Sequence, residues 1–516
     1  MRKLVTLMIV GLLALPMLGQ RYATEIFSDV TRTDTIPYGV NKTIITGMPM
    51  DQTMIFDLYE PDGDTATDRA LMLVAHTGNF LPAIRNGSPN GTIKDSTVVE
   101  ICTRLAKQGY VVASFDNRTG WDAQNADQAI QTAQLLQAAY RGIQDARTCV
   151  RYFRKSVAED NNPHGINPDK IGILGVGTGG YISLGTAYLN DHASEIQLVK
   201  FTDPGSGASY IDTTLHGNMW GTNTTPLNTP NHVGYSSHVS VAVNIGGALG
   251  DSVWLDAGEV PAINFHTPQD PNAPFDVGIV IVPTTGNTVI DLAAGSNAVA
   301  RMNNRFGNND VFVNAGINDA WTTAANTGNS GNEGLFAFDK PFDASQLYNC
   351  APIMQMLPYI PEGSPWDWWN EADFIAKWDF AVGTPPGVAV NCNQRRSNPD
   401  MSPMKGRTYI DSIMGYASPR LVAAMALYPV GIEELQIKSN LQLFPNPANE
   451  LLVLNTSTQM PMLNIQIMDA MGRVVRNVSG LRVSNYRIDR EGLTSGIYFV
   501  KVGFEEGSLT RRVIFE

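Results

Sequence analysis

Histidine is scarce in this chain, with seven in 516 residues, and none follows His266. Any catalytic design that needs a late imidazole as general base is therefore excluded. Cysteine is scarcer still: Cys102, Cys149, Cys350 and Cys392 stand far apart and form no CxxC pair. Neither a zinc site nor a dithiol redox site has the spacing it requires, so no metal and no cofactor is indicated. Basic residues are outnumbered, 36 Lys and Arg against 49 Asp and Glu, for a net charge of -13. Nucleic acid and anionic membrane surfaces want a basic patch, and this balance argues against both. Beyond the amino end there is no apolar run long enough to span a bilayer.

What is present begins with an address. "MRKLVTLMIVGLLALPMLGQ" has a basic start at Arg2 and Lys3, an apolar run from Leu4 to Leu15, then Pro16 and Gly19. That pattern predicts a cleaved secretory signal peptide over residues 1–20, because the run is shorter than the roughly 20 apolar residues of a membrane span. An exported chain permits disulfides. Cys350 and Cys392 lie in loop-like "LYNCAP" and "AVNCNQ" and are the better-placed pair, while Cys102 and Cys149 read as small buried residues on helices. The pairing itself stays open.

Short alternating runs between Arg21 and Glu60 predict an antiparallel hairpin at a sheet edge. The rhythm then changes. "ALMLVAH" (70–76), "YVVASFD" (110–116) and "KIGILGVG" (170–177) are continuous apolar strands, separated by helical spacing over 96–109 and 131–157 and followed by a helix over 180–189. Fully apolar strands alternating with amphipathic helices predict an α/β fold, a mostly parallel sheet covered on both faces. Further strands end near 250 and 266, a polar insert spans 202–238, and a helix interrupted near Gly415 and Pro419 closes the unit. Past Pro429 come short alternating strands and turns, which predict a small Ig-like β-sandwich. The expected division is a signal peptide (1–20), a main domain (21–430), a linker (431–440) and a terminal domain (441–516).

The terminal pieces "FPNPANELLVL" (444–454), "IQIMDAMGRVV" (465–475), "GLTSGIYFVKV" (492–502) and "TRRVIFE" (510–516) resemble the C-terminal sorting domain of the type IX secretion system of Bacteroidetes. Ala470 to Gly472 is the expected turn between two of its strands. The resemblance implies that residues 441–516 engage the secretion machinery and deliver the protein to the cell surface or beyond. The architecture alone would equally suit an adhesive or carbohydrate-binding sandwich.

The main domain, with "HTGNF" (76–80), "FDNR" (115–118) and "INPDKIGILGVGTGGYISL" (166–184) in order, resembles the α/β-hydrolase fold, in particular bacterial carboxylesterases. In that family His76, Thr77 and Gly78 would open the oxyanion-hole loop, and the strand from Lys170 would enter the nucleophile elbow GxSxG. Gly175 and Gly179 match the flanking glycines, but Gly177 falls on the nucleophile and has no atom with which to attack a carbonyl. Thr178 sits one position late. Asp270, in "HTPQDPNAPF", matches the triad acid, and the histidine that should follow it is missing.

The expectation is an exported, hydrolase-like protein without covalent catalysis, with a ligand-binding or structural role at the cell surface. Three rivals use the same residues. A displaced esterase would draw on Thr178, Ser206 or Ser209, with His216, His232 or His238 from the polar insert folded over the site as base. A surface adhesin would need no pocket. A dinucleotide fingerprint in "GVGTGG" would need to follow the first strand of its fold, and this strand is central. Asp116, Asp145 and Arg147 are expected in structural ion pairs, His164 in a surface loop, and Trp366, Trp368, Trp369 and Trp378 in the core or a lid.

Overall fold

The computed structural model describes residues 21–516 apart from 46, 282–285, 351–352, 354, 428–438, 459, 470–472 and 505–506. The expected signal peptide, most of the expected linker and the turn at 470–472 lie outside the described residues. The chain divides into two compact units between Leu427 and Tyr428.

In the first unit the strands are β1 (Val30–Thr43), β2 (Met50–Pro61), β3 (Arg69–Ala75), β4 (Val111–Phe115), β5 (Ile166–Val176), β6 (Val241–Ile245), β7 (Ala248–Leu249), β8 (Ala262–His266), β9 (Val277–Ile281), β10 (Thr288–Gly295) and β11 (Leu335–Ala337). Eight of them form one sheet in the order β1-β2-β4-β3-β5-β6-β8-β11. The β1–β2 hairpin and its junction with β4 are antiparallel. Every pairing from β4 to β11 is parallel. This is the α/β-hydrolase sheet.

Alternation along each strand sends side chains to two separate cores. Met72, Val74, Leu174 and Val243 pack under the helices Ser96–Lys107 and Pro403–Ala424. Leu71, Leu73, Ile171 and Ile173 pack under the helices Gln128–Glu159, Thr178–Tyr188 and Ser296–Phe306. Both faces are covered, so the strands are apolar throughout. Chain order reverses between β3 and β5, and at such a switch point the loops leaving the carboxyl ends diverge and open a crevice.

One local expectation is corrected, and one rival reading loses its support. The helix Pro403–Ala424 runs through Gly415 and Pro419 without a break. Its burial outweighs the lost backbone bond: Ile413, Tyr416, Ala417 and Leu421 are in the core, and Gly415 leaves room for the Trp321 indole, which a Cβ would meet at 2.1 Å. The insert over 202–238 lies along the helix Gln128–Glu159 and does not fold over the site. Gln144 donates to the carbonyls of His216 and Asn218, and Arg151 to those of Trp220 and Asn231.

In the second unit, strands Gln442–Phe444, Leu451–Asn455 and Asn485–Asp489 form one antiparallel sheet. Strands Met462–Asp469, Val474–Val483, Gly496–Phe504 and Gly507–Phe515 form another. Inward residues of both, among them Leu452, Leu454, Ile465, Ile467 and Val500, share one core, which makes a β-sandwich.

Candidate functional site

The crevice above β3, β5, β6 and β8 holds a cavity of about 520 Å³. Thr77, Gly177, Gly246 and Asp270 reach it from loops at the carboxyl ends of those four strands.

Gly177 joins β5 to the helix Thr178–Tyr188 with φ 56° and ψ -118°. Only glycine adopts that backbone without strain. Its neighbours are glycines for want of space: a Cβ at Gly175 would lie 1.8 Å from the Gly179 carbonyl oxygen, and one at Gly179 would lie 2.3 Å from that of Ala75. The elbow is therefore built in full. Where the attacking side chain should rise, however, Thr77 stands, its Oγ1 2.3 Å and its Cβ 2.9 Å from a Cβ built on Gly177. Thr178 starts the helix and lines the cavity.

The loop after β3 is tied down on several sides. Trp121 Nε1 donates to the Asn79 carbonyl at 2.8 Å, and the Gly120 amide to that of Phe80. Gly78 has a φ of 127° and packs against Gly91 so closely that a Cβ would meet the Gly91 Cα at 2.8 Å. The His76 ring is turned away from the cavity, Nδ1 to the Thr77 carbonyl at 2.5 Å and Nε2 to Asp116 at 3.3 Å. Burial works against its protonation, but the Asp116 carboxylate, with Asp95 beyond it, holds its pKa above the usual range.

Asp270 follows β8, its side chain 3% exposed. It accepts the Asn272 amide at 2.7 Å, so it caps its own loop as well as lining the cavity. Burial pushes its pKa up to about 7. In place of an imidazole, the backbone of Gly363 packs on the carboxylate, where a Cβ would lie 2.4 Å from Oδ1. The one histidine nearby is His266, whose Nε2 is 3.8 Å from Asp270. Its Nδ1 meets Ser296 Oγ at 2.8 Å, giving serine, histidine and aspartate in a row. That row is structural: Ser296 and His266 are wholly buried, neither lines the cavity, Ser296 Oγ also accepts from Asn244, and burial lowers the His266 pKa to about 4.

The carboxyl group of Asp270 carries a measurable consequence. Its folded pKa lies above its unfolded value of 3.8, so the native state holds this proton more tightly, and stability is lost as pH rises from about 4 through about 7. Asp270→Asn removes the penalty. We expect thermal melts to show the variant more stable than the parent at pH 8, by on the order of 4 kcal/mol, and level with it at pH 4. Equal melting temperatures at pH 8 would refute the assignment.

The remaining expected site residues are placed elsewhere. Ser206 bonds Asp203, Ser209 accepts the Ile211 amide, and neither lines the cavity. His232 faces the Tyr38 carbonyl, and burial lowers the His216 pKa to about 4. His164 is buried against Phe153 and Tyr152, not in a surface loop. Asp145 pairs with Arg118 at 2.8 Å, both fully buried. Among the described residues Arg147 makes no ion pair, contrary to expectation. It donates to the carbonyls of Met219, Gly185 and Thr186 and stacks on Trp220, because the insert and the helix Thr178–Tyr188 surround it with carbonyl acceptors.

Sequence reasoning missed the far wall. Asp367 and Trp369 line the cavity with Asn393, Gln394 and Ser397, whereas Trp366, Trp368 and Trp378 are buried. A bond between Cys350 and Cys392 ties the hairpin strand Leu347–Cys350 to the helix Gly387–Arg395, which supports this wall. Cys102 and Cys149 are free and buried. Asp367 accepts from Thr97 at 2.6 Å, and burial, with the Asp95 charge adding to it, pushes its pKa up to about 7. The tryptophan cluster was the only signal of this segment.

With the geometry in place, the second unit finds its relatives. The secretion system C-terminal sorting domain family matches residues 442–516. Residues 442–516 are a sorting domain of that family. The sorting domain marks the protein for secretion or attachment at the cell surface and implies engagement with the type IX machinery. No curated protein matches the chain. Among solved structures the chain is similar to esterase 2 of Thermogutta terrifontis. The form phosphorylated by paraoxon is 20% identical over 47% of this chain and 73% of that one, with a TM-score of 0.28. The propionate-bound form is 17% identical over 47% and 74%, with a TM-score of 0.27. Among the described residues, no helix is long and apolar enough to cross a membrane.

Proposed function

We propose that this exported α/β-hydrolase-like protein does not catalyse ester hydrolysis and uses its cavity to bind a small organic ligand at the cell surface. The observation that carries the reading is the position of Thr77, which fills the room a nucleophilic side chain at residue 177 would need. The packing of Gly363 on Asp270 supports it, since the backbone lies where the family's acid would hold its histidine. Without nucleophile and base, covalent catalysis is lost, and what remains is a walled cavity of a size suited to a ligand.

The test is hydrolysis of short p-nitrophenyl esters by the purified chain beside Thr178→Ala. We expect no turnover above background in either protein. Turnover by the parent that disappears in Thr178→Ala would establish a relocated nucleophile and overturn the reading.

A further inference from the structure

The cavity lining is of two kinds. Part is apolar, built from Leu135 and Leu136 of the helix Gln128–Glu159, Val280 of β9, and Val289 and Ile290 of β10. Asp270, after β8, and Asp367, from the segment before the helix Glu371–Ala381, also line it. Among the described residues, no lysine, arginine or histidine lines the cavity, so its only charged groups are carboxylates.

Among the described residues, neither carboxylate is paired with a lysine or arginine. Asp270 is bonded to the Asn272 amide, and the nearby His266 is held neutral by burial. Asp367 is bonded to the Thr97 hydroxyl and has the Asp95 charge as a neighbour. The lysines of the surrounding segments are engaged elsewhere: Lys340 pairs with Glu362 at 2.7 Å, and Lys405 pairs with Glu362 and Asp400. Buried carboxylates without counter-ions are unfavourable, and a ligand that supplies the cation relieves them. A carboxylate or phosphate ligand would add to the repulsion.

On the reading that the cavity binds a ligand, we propose that this ligand is a small organic ammonium with an apolar body. Its charged head pairs with one of the two lining carboxylates, Asp270 or Asp367, and its hydrocarbon or aromatic part lies against Leu136, Val289 and Ile290.

The experiment is calorimetric titration of the full chain at pH 8 with hexylammonium, hexanol and hexanoate, which share one body and differ in head group. Hexylammonium should bind at least about tenfold more tightly than hexanol, and hexanoate should give no measurable heat. Asp270→Asn or Asp367→Asn, whichever removes the carboxylate that holds the head, should weaken hexylammonium and leave hexanol unchanged, while Leu136→Trp should abolish both by filling the cavity. No weakening in either Asn variant would overturn the ammonium assignment. Hexanol binding as tightly as hexylammonium would overturn the ammonium assignment and leave the binding reading standing. Hexylammonium that still binds to Leu136→Trp would place its site elsewhere and overturn the assignment too. Binding by none of the three would overturn both.

Discussion

Gly177→Ser, the substitution that restores a hydrolase-like elbow in name, is expected to yield no esterase and to destabilise the protein by about 2–4 kcal/mol. Two effects add. The residue sits at φ 56°, which strains any side chain, and its Cβ would overlap Thr77, at 2.3 Å from Oγ1 and 2.9 Å from Cβ. Rotating the threonine frees its oxygen but not its Cβ. The double variant Gly177→Ser with Thr77→Gly should therefore recover part of the lost stability in a denaturant titration. It should remain inactive toward p-nitrophenyl butyrate, because the nearest imidazole to Asp270 is the sealed ring of His266. Appreciable turnover by either variant would sink the claim that the base is missing.

Removal of residues 442–516 should have the larger effect in the cell. The sorting domain has its own core, joining both of its sheets around residues such as Leu452, Ile467 and Val502, and the first unit has separate cores. The truncated chain is thus expected to fold and to remain in the periplasm. Fractionation, combined with protease treatment of intact cells, would show near-complete loss of the surface-accessible form. Normal surface exposure of the truncated protein would refute the role assigned to the domain.

The parallel sheet could be read in advance because each central strand is apolar on both faces, as "ALMLVA" is, and only a doubly covered sheet demands that. The elbow could be read too. A Cβ at Gly175 would lie 1.8 Å from the carbonyl oxygen of Gly179 within the same turn, so this spacing survives in sequence. The far wall could not. Asp367 meets Thr97 across 270 positions, and no local pattern records a contact of that span. The course of the insert was equally hidden: it follows hydrogen bonds from Gln144 and Arg151 to its carbonyls, and any sequence offers carbonyls. Gly415 and Pro419 misled for the opposite reason, since local propensity favours a break and tertiary burial overrode it.

The bond between Cys350 and Cys392 bears on the order in which the protein becomes complete. It closes a span of 42 residues, and a cross-link of that length restricts the unfolded chain by about 4 kcal/mol. Such a bond forms in oxidising compartments and not in the reducing interior where the chain is made. The wall that carries Asn393 and Gln394 is thus fastened only after export, and the cavity reaches its finished form outside the cytoplasm. On the proposed binding role, a ligand abundant inside the cell would meet an unfinished site, and the journey itself would act as a filter on what the cavity takes up.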